Sequence, residues 1–133
     1  MNNLFKTLGL TLLLAFTLTA CNTTTPSEFL VMSPWVYDSF ENPDLDSDTR
    51  DLFVAVFSIS TWTYSEDGTY TITYAQNAFD PNNGTWALDE DGTELTLEED
   101  GDTDRFEVLT LDDDVLSLQF VDSTGTNILN LKH

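Results

Sequence analysis

The side chains best suited to chemistry in this chain of 133 residues are its 24 carboxylates. Paired carboxylates can act as acid and base in hydrolysis, and groups of them can bind Ca²⁺. Asp44, Asp46 and Asp48 have the alternating spacing with which a calcium-binding loop begins. Thr49 then replaces the glycine of such a loop, and Ala55 replaces its bidentate glutamate. We therefore expect solvated acidic side chains here and no metal site.

Two further acidic groups, at residues 98–104 and 112–114, fall in or near predicted turns. Neither group is expected to lie in a buried cleft, where a catalytic pair of carboxylates would have to be. Cys21 is the only cysteine and the terminal His133 is the only histidine. A terminal side chain is expected to be poorly held, so a Ser-His-Asp triad and a cysteine or histidine metal site are both disfavoured. The sequence predicts a non-enzymatic protein with no catalytic residues and no cofactor.

A set of aromatic residues offers binding rather than catalysis, because its members fall on or near the face that the strand patterns point inward. These residues are Trp35, Trp62, Tyr64, Tyr70, Tyr74 and Trp86. Aromatic walls with a few hydroxyl groups suit a small apolar or amphipathic ligand. The alternative is that the rings simply fill the core, since the interior of a small barrel is barely wider than its side chains.

The charge balance limits the partners. With 4 basic residues against 24 acids, the net charge is −20 at neutral pH. Such a surface repels nucleic acid and anionic lipid headgroups, so nucleic-acid binding is excluded as an expectation. Solubility explains the acidity, and cation binding is the alternative.

The first 20 residues have the organisation of a secretory signal peptide. Lys6 precedes an apolar run at residues 8–18, and the small residues Thr19 and Ala20 follow. The run has about half of the roughly 20 residues that a membrane-spanning helix needs. We expect this segment to be removed after export.

Residues 18–21, Leu-Thr-Ala-Cys, resemble the lipobox of bacterial lipoproteins. The resemblance implies cleavage before Cys21, acylation of that cysteine, and attachment to a lipid bilayer, because two or more acyl chains hold a protein stably. Asn22 stands where an inner-membrane retention signal usually has aspartate, which by analogy favours a lipid anchor in the outer membrane of the cell envelope. Residues 21–28 are polar, contain Pro26, and are expected to form a flexible tether.

Strand-like runs alternate with turn signals through residues 29–133. Runs at 29–40, 52–65, 69–74, 85–88 and 93–98 are followed by one that starts at Phe106, one at 116–120 and one at 127–131. Residues 41–51 read as a connection with at most one helical turn, and residues 75–84 as a loop ending at Asn83-Gly84. Short turns such as Asp67-Gly68 favour hairpins. The predicted fold is all-β, a small antiparallel up-and-down eight-stranded β-barrel, with an open meander as the alternative.

Several turn and core segments resemble the lipocalin-like domains of secreted Bacteroidetes lipoproteins: residues 65–70, 83–88, 91–97, 115–118 and 128–132. The resemblance implies an antiparallel lipocalin-like barrel over residues 29–133 that holds a small apolar molecule. A protein–protein interaction module, using the acidic loops or the outer barrel face, is the alternative because fold does not fix function. A cavity of roughly 300 Å³ or more enclosed by Trp62, Tyr74 and Trp86 would favour the ligand, and a solid interior would favour the partner protein.

Overall fold

A computed structural model describes residues 23–32 and 34–133, and within them eight antiparallel strands close into an up-and-down barrel in sequence order. The predicted fold class is confirmed. The signal segment 1–20 and Cys21 lie outside the described residues. The strands are β1 (Trp35–Glu41), β2 (Ser60–Tyr64), β3 (Thr69–Tyr74), β4 (Asn82–Leu88), β5 (Glu94–Glu99), β6 (Asp102–Leu111), β7 (Val115–Asp122) and β8 (Gly125–Lys132).

Alternation of apolar and polar residues builds the barrel wall, because neighbouring side chains of a strand point to opposite faces. In β3, Tyr70 and Ile72 are buried while Thr69 and Thr73 are exposed. In β5, Leu95 and Leu97 are buried and Glu94 is exposed. The inward residues of all eight strands form one continuous core.

The first predicted strand is wrong in its first half, because helix α1 occupies Pro26–Val31 and β1 starts only at Trp35. The tether predicted over residues 21–28 is likewise wrong for residues 26–28. Thr25 and Glu28 form a capping box, in which the Glu28 carboxylate accepts hydrogen bonds from the Thr25 backbone N–H and hydroxyl group. The Thr-x-x-Glu pattern before an apolar run was the sequence signal for this helix.

The run at 52–65 is also not one strand, because helix α2 extends over Ser47–Phe57 and β2 follows it. Asp46 caps α2 by accepting hydrogen bonds from the Thr49 backbone N–H at 2.9 Å and hydroxyl group at 2.8 Å. Phe53 and Phe57, four residues apart, lie on one face of the helix and pack on Phe40 of β1. β-branched and aromatic composition favoured a strand here, but the cap and this packing stabilise a helix.

The loop predicted over residues 75–84 is shorter than expected, since a 3-10 turn covers Ala75–Asn77 and β4 already starts at Asn82. Asn83-Gly84 is therefore part of a strand and not a hairpin turn. A Cβ atom on Gly84 would lie 1.9 Å from the Glu98 carbonyl oxygen and 2.9 Å from Tyr70 Cε1. Glycine is required by close packing between β4, β5 and the Tyr70 ring.

The helices lie at opposite ends of the barrel. α1 packs at the end that contains the β2–β3, β4–β5 and β6–β7 turns, which we call the closed end. α2 follows β1 at the other end, which we call the open end. Among the described residues, neither helix has the length and apolar character needed to cross a bilayer.

Candidate functional site

A cavity lies at the open end, where the pairing of β6 with β7 stops before the strands do. β6 pairs with β5 from Asp102 onward, but its ladder with β7 extends only from Glu107–Gln119 to Leu111–Leu116. The seam between β6 and β7 is therefore open beyond Glu107. A cavity of about 510 Å³ occupies it. That volume lies within the range of pockets that hold small molecules.

A second seam at the same end is filled, which explains why the cavity forms where it does. β1 pairs with β2 only at Trp35–Trp62 and Val36–Thr61. The space beyond is covered by α2, through the contact of Phe53 and Phe57 with Phe40. No such element covers the β6–β7 seam in the described part of the chain, so that seam stays accessible.

The inner walls of the cavity are apolar and mostly aromatic: Phe57, Trp62, Phe106, Phe120 and Leu129. Phe106 and Phe120 face each other across the seam where pairing ends, with ring centroids 5.8 Å apart at 73°. Trp62 is held by its indole N–H, which donates to Ser60 Oγ at 2.9 Å. The Ser60 hydroxyl group donates in turn to the Phe57 carbonyl at 2.7 Å, and this hydrogen bond fixes the end of α2 to the start of β2.

The rim of the cavity carries carboxylates. Asp104 is paired with the buried Leu97, so its side chain lies on the inner face of β6. Asp122, at the end of β7, also lines the cavity. Hydrogen bonds from the Thr124 hydroxyl group and backbone N–H lower the pKa of Asp122, which keeps it ionised. Asp104 and Asp122 are both exposed, so both negative charges lie at the entrance of the cavity.

A polar hydrogen-bond chain continues the rim across β3, β4 and β5. The Tyr74 hydroxyl group donates to Asn82 Oδ1 at 2.8 Å, and Asn82 Nδ2 donates to Glu99 Oε2 at 2.9 Å. Glu99 Oε1 accepts the Asn83 backbone N–H at 3.2 Å. These contacts fix the Glu99 carboxylate at the entrance.

Next to the aromatic cavity lies a polar hollow of about 550 Å³, which shares Thr103 and Asp104 with it. Asn82, Glu99, Asp100 and Asp102 line the rest. Burial raises the pKa of Tyr70, and the nearby carboxylates of Glu99 and Asp104 raise it further. Burial and then Glu99 likewise raise the pKa of Tyr74, whose hydroxyl group donates to Asn82.

The six aromatic residues predicted to line a cavity lie in or against one hydrophobic core, where Tyr64 contacts Tyr70 and Trp86, and they do not surround one cavity. Trp62 is on the cavity wall, whereas Trp35 and Tyr64 are buried in the core towards the closed end. Tyr70 is buried on the inner wall, and Tyr74 belongs to the rim chain. Trp86 is half-buried beside α1, with Ser27, Glu28, Val31 and Glu66 around a separate groove of about 220 Å³. Of the three residues expected beside a cavity, only Trp62 lines the one at the β6–β7 seam.

Several cavity residues were not among the predicted site residues. Phe106 and Phe120 fall on the inward positions of β6 and β7, so strand alternation alone could have indicated them. Phe57 could not be found while residues 52–65 were read as a strand. Nothing in the sequence indicates where the β6–β7 ladder stops, because Asp102–Phe106 and Phe120–Asp122 retain strand character.

Within the described residues, no three histidine, cysteine, aspartate or glutamate side chains are placed to hold a metal ion. Asp46, read as part of an incomplete calcium loop, is the cap of α2. The terminal His133 is held more firmly than expected: its ring lies 3.9 Å from that of Trp35, and its Nδ1 is 3.1 Å from the Pro34 carbonyl oxygen.

Comparison with known proteins agrees with the barrel fold. The crystal structure of a DUF4847 family protein from Bacteroides vulgatus superimposes with a TM-score of 0.54 at 14% identity, covering 80% of this chain and 96% of that one. At that identity the likeness concerns the fold alone. No curated protein matches the sequence. The family model of the lipocalin-like domain matches residues 35–118, more than half of the sequence, and the chain therefore belongs to the lipocalin-like domain family.

Proposed function

We propose that this protein is a lipid-tethered, extracytoplasmic lipoprotein whose barrel binds a small apolar or amphipathic ligand at the open end. The observation that carries the binding proposal is the cavity of about 510 Å³ in the β6–β7 seam, with aromatic walls and a polar rim. Apolar walls with a few fixed polar groups are what small-molecule sites have in common. Membership of the lipocalin-like family is consistent with this role.

The alternative, a protein–protein interaction module, receives less support. Among residues 23–32 and 34–133, the large exposed hydrophobic residues are spread over separate loops, strands and helices: Met32, Leu52, Phe79, Leu109 and Val121. Hydrophobic residues scattered over a surface are ordinary and do not define an interface. The cavity at the β6–β7 seam meets the condition set for a ligand only in part, because it is lined by Trp62 but not by Tyr74 or Trp86.

We further propose that Cys21 is acylated and anchors the protein in the outer membrane, on the evidence of the lipobox-like residues 18–21. Replacement of Cys21 by serine prevents acylation and should move the protein from the membrane fraction to the soluble fraction. Retention of the Cys21→Ser protein in membranes would contradict the proposal. Ligand binding by the barrel does not depend on this result.

The binding proposal is tested with the neutral fluorescent probe N-phenyl-1-naphthylamine, which brightens in apolar sites. We expect saturable binding to the purified protein, weakened about fivefold or more by Phe120→Ala, since aromatic contacts contribute about 1 kcal/mol each. Phe53→Ala is the matched control. It also removes a half-buried phenylalanine ring, but from α2 and not from the cavity wall. Absence of saturable binding, or equal weakening by both variants, would overturn the proposal.

A further inference from the structure

We infer that the site selects cationic amphiphiles: molecules with an apolar body and a protonated or quaternary amine, whose charged group lies at the rim beside Asp104 and Asp122. The inference rests on the proposed ligand function and adds the chemical class of the ligand. It follows from the arrangement of the walls, the rim and the charges around them.

The walls favour a positive group that is only weakly hydrated. Phe57, Trp62, Phe106 and Phe120 present aromatic rings to one cavity. The face of an aromatic ring attracts a cation within about 6 Å, and quaternary ammonium groups are recognised by several such rings together. An apolar body placed between these rings and Leu129 gains contact area in addition.

The rim favours the same sign of charge. Asp104 and Asp122 line the cavity, and Glu99, Asp100 and Asp102 line the adjoining hollow. Glu99 is positioned by Asn82 and Asn83, so its charge cannot easily turn away. Each of these carboxylates would repel an anionic headgroup. A neutral headgroup would be neither repelled nor attracted by their charges.

Arg105, the one basic residue that lines the cavity in the part of the chain that the structure describes, does not neutralise this rim. Arg105 neighbours Asp104 on β6 but belongs to the outer face, where its guanidinium group lies 3.4 Å from the Glu94 carboxylate. That pair extends towards the closed end, because Glu94 begins β5 there. With a net charge of −20 for the whole chain, the field at the entrance remains negative.

The test uses three ligands with the same ten-carbon chain and different headgroups: decyltrimethylammonium, decanol and decanoate, each below its micelle concentration. Isothermal titration of the purified protein should give the order ammonium, alcohol, carboxylate from tightest to weakest. Asp104→Asn keeps the size of the side chain and removes its charge, and should weaken the ammonium ligand about three- to tenfold while decanol changes by less than twofold. Asp113→Asn, in the turn at the closed end, is the matched control and should leave both affinities unchanged.

The outcomes separate the two proposals. If decanol binds and the ammonium ligand binds no more tightly, the ligand function stands and the selection for cations is overturned. If Asp104→Asn and Asp113→Asn weaken the ammonium ligand equally, its binding reflects overall charge and the assigned rim is wrong. If none of the three ligands binds, the proposed function itself fails.

Discussion

The two ends of the barrel are built differently, although the same eight strands join them. At the closed end, α1 packs on the strands, and Leu30, Trp35, Leu95, Leu116 and Leu131 are fully buried. At the open end, two seams lose their pairing, and α2, which covers one of them, has no buried residue. Leu52 of that helix is 65% exposed. The difference indicates that the closed end supplies stability while the open end leaves room for a ligand.

The closed end should be far more sensitive to truncation than the cavity wall. Trp35 is fully buried, and its indole N–H donates to the Leu30 carbonyl at 2.9 Å. Trp35→Ala should reduce the free energy of unfolding by about 3–5 kcal/mol. Phe106→Ala, at a half-buried cavity residue, should reduce it by only about 1–2 kcal/mol. Urea unfolding measures both, and equal losses would remove the distinction between the two ends.

The open end depends instead on a buried polar contact. Asn127 is fully buried, and its Oδ1 accepts a hydrogen bond from Asn42 Nδ2 at 2.8 Å, which joins the start of β8 to the connection before α2. Asn127→Ala leaves the Asn42 amide without this acceptor and should cost about 1–3 kcal/mol. Hydrogen exchange should accelerate in α2 and not in α1. The exposed neighbour Thr126→Ala is the control; if it has the same effect, the Asn127 contact does not anchor the open end.

The rim of the open end also needs the close contact of β4 with β5. Gly84→Ala would place Cβ 1.9 Å from the Glu98 carbonyl oxygen, so the strands must separate. We expect a loss of about 1–2 kcal/mol in the free energy of unfolding, together with changed NMR signals for Asn82 and Glu99. Gly101→Ala is the control, since its φ is +90° but no atom lies within 4 Å of the added Cβ. Gly101→Ala should show the effect of backbone strain alone. Unchanged NMR signals of Asn82 and Glu99 in Gly84→Ala would contradict the role of Gly84 in positioning the rim.

The strands and hairpin turns could be predicted from the sequence far better than the two helices and the open end, for a physical reason. Strands such as Thr69–Tyr74 carry their own period-two pattern, and turns such as Asp67-Gly68 carry local hairpin chemistry. The cavity depends on where a ladder between two strands stops and on whether a helix covers the gap, which no local pattern encodes. Phe57 illustrates this, because its composition favoured a strand while capping by Asp46 and packing on Phe40 determine a helix.

The smallest expected effect concerns the acidic turns, three of which are capped by aspartates at the closed end: Asp67, Asp89 and Asp112. Asp89 accepts the Thr93 backbone N–H at 2.7 Å and the Glu94 backbone N–H at 2.9 Å. These hydrogen bonds, first that from Glu94 and then those from Thr93, lower the pKa of Asp89 below its ordinary value of 3.8. The capped carboxylate therefore stabilises the fold above the ordinary aspartate pKa, and this contribution is lost as the pH falls through the lower folded-state pKa.

Asp89→Asn should accordingly melt at a lower temperature than the wild type at pH 7, and the difference should shrink as the pH falls below about 4. Comparing the two proteins at each pH removes the effect they share, the decline of net charge towards zero near the pI of about 4.1. Asp113→Asn lies in another closed-end turn and serves as the charge-matched control. A gap between wild type and Asp89→Asn that stays constant from pH 7 to pH 3 would mean that the closed-end turns do not depend on ionised caps, and that packing alone distinguishes that end from the open one.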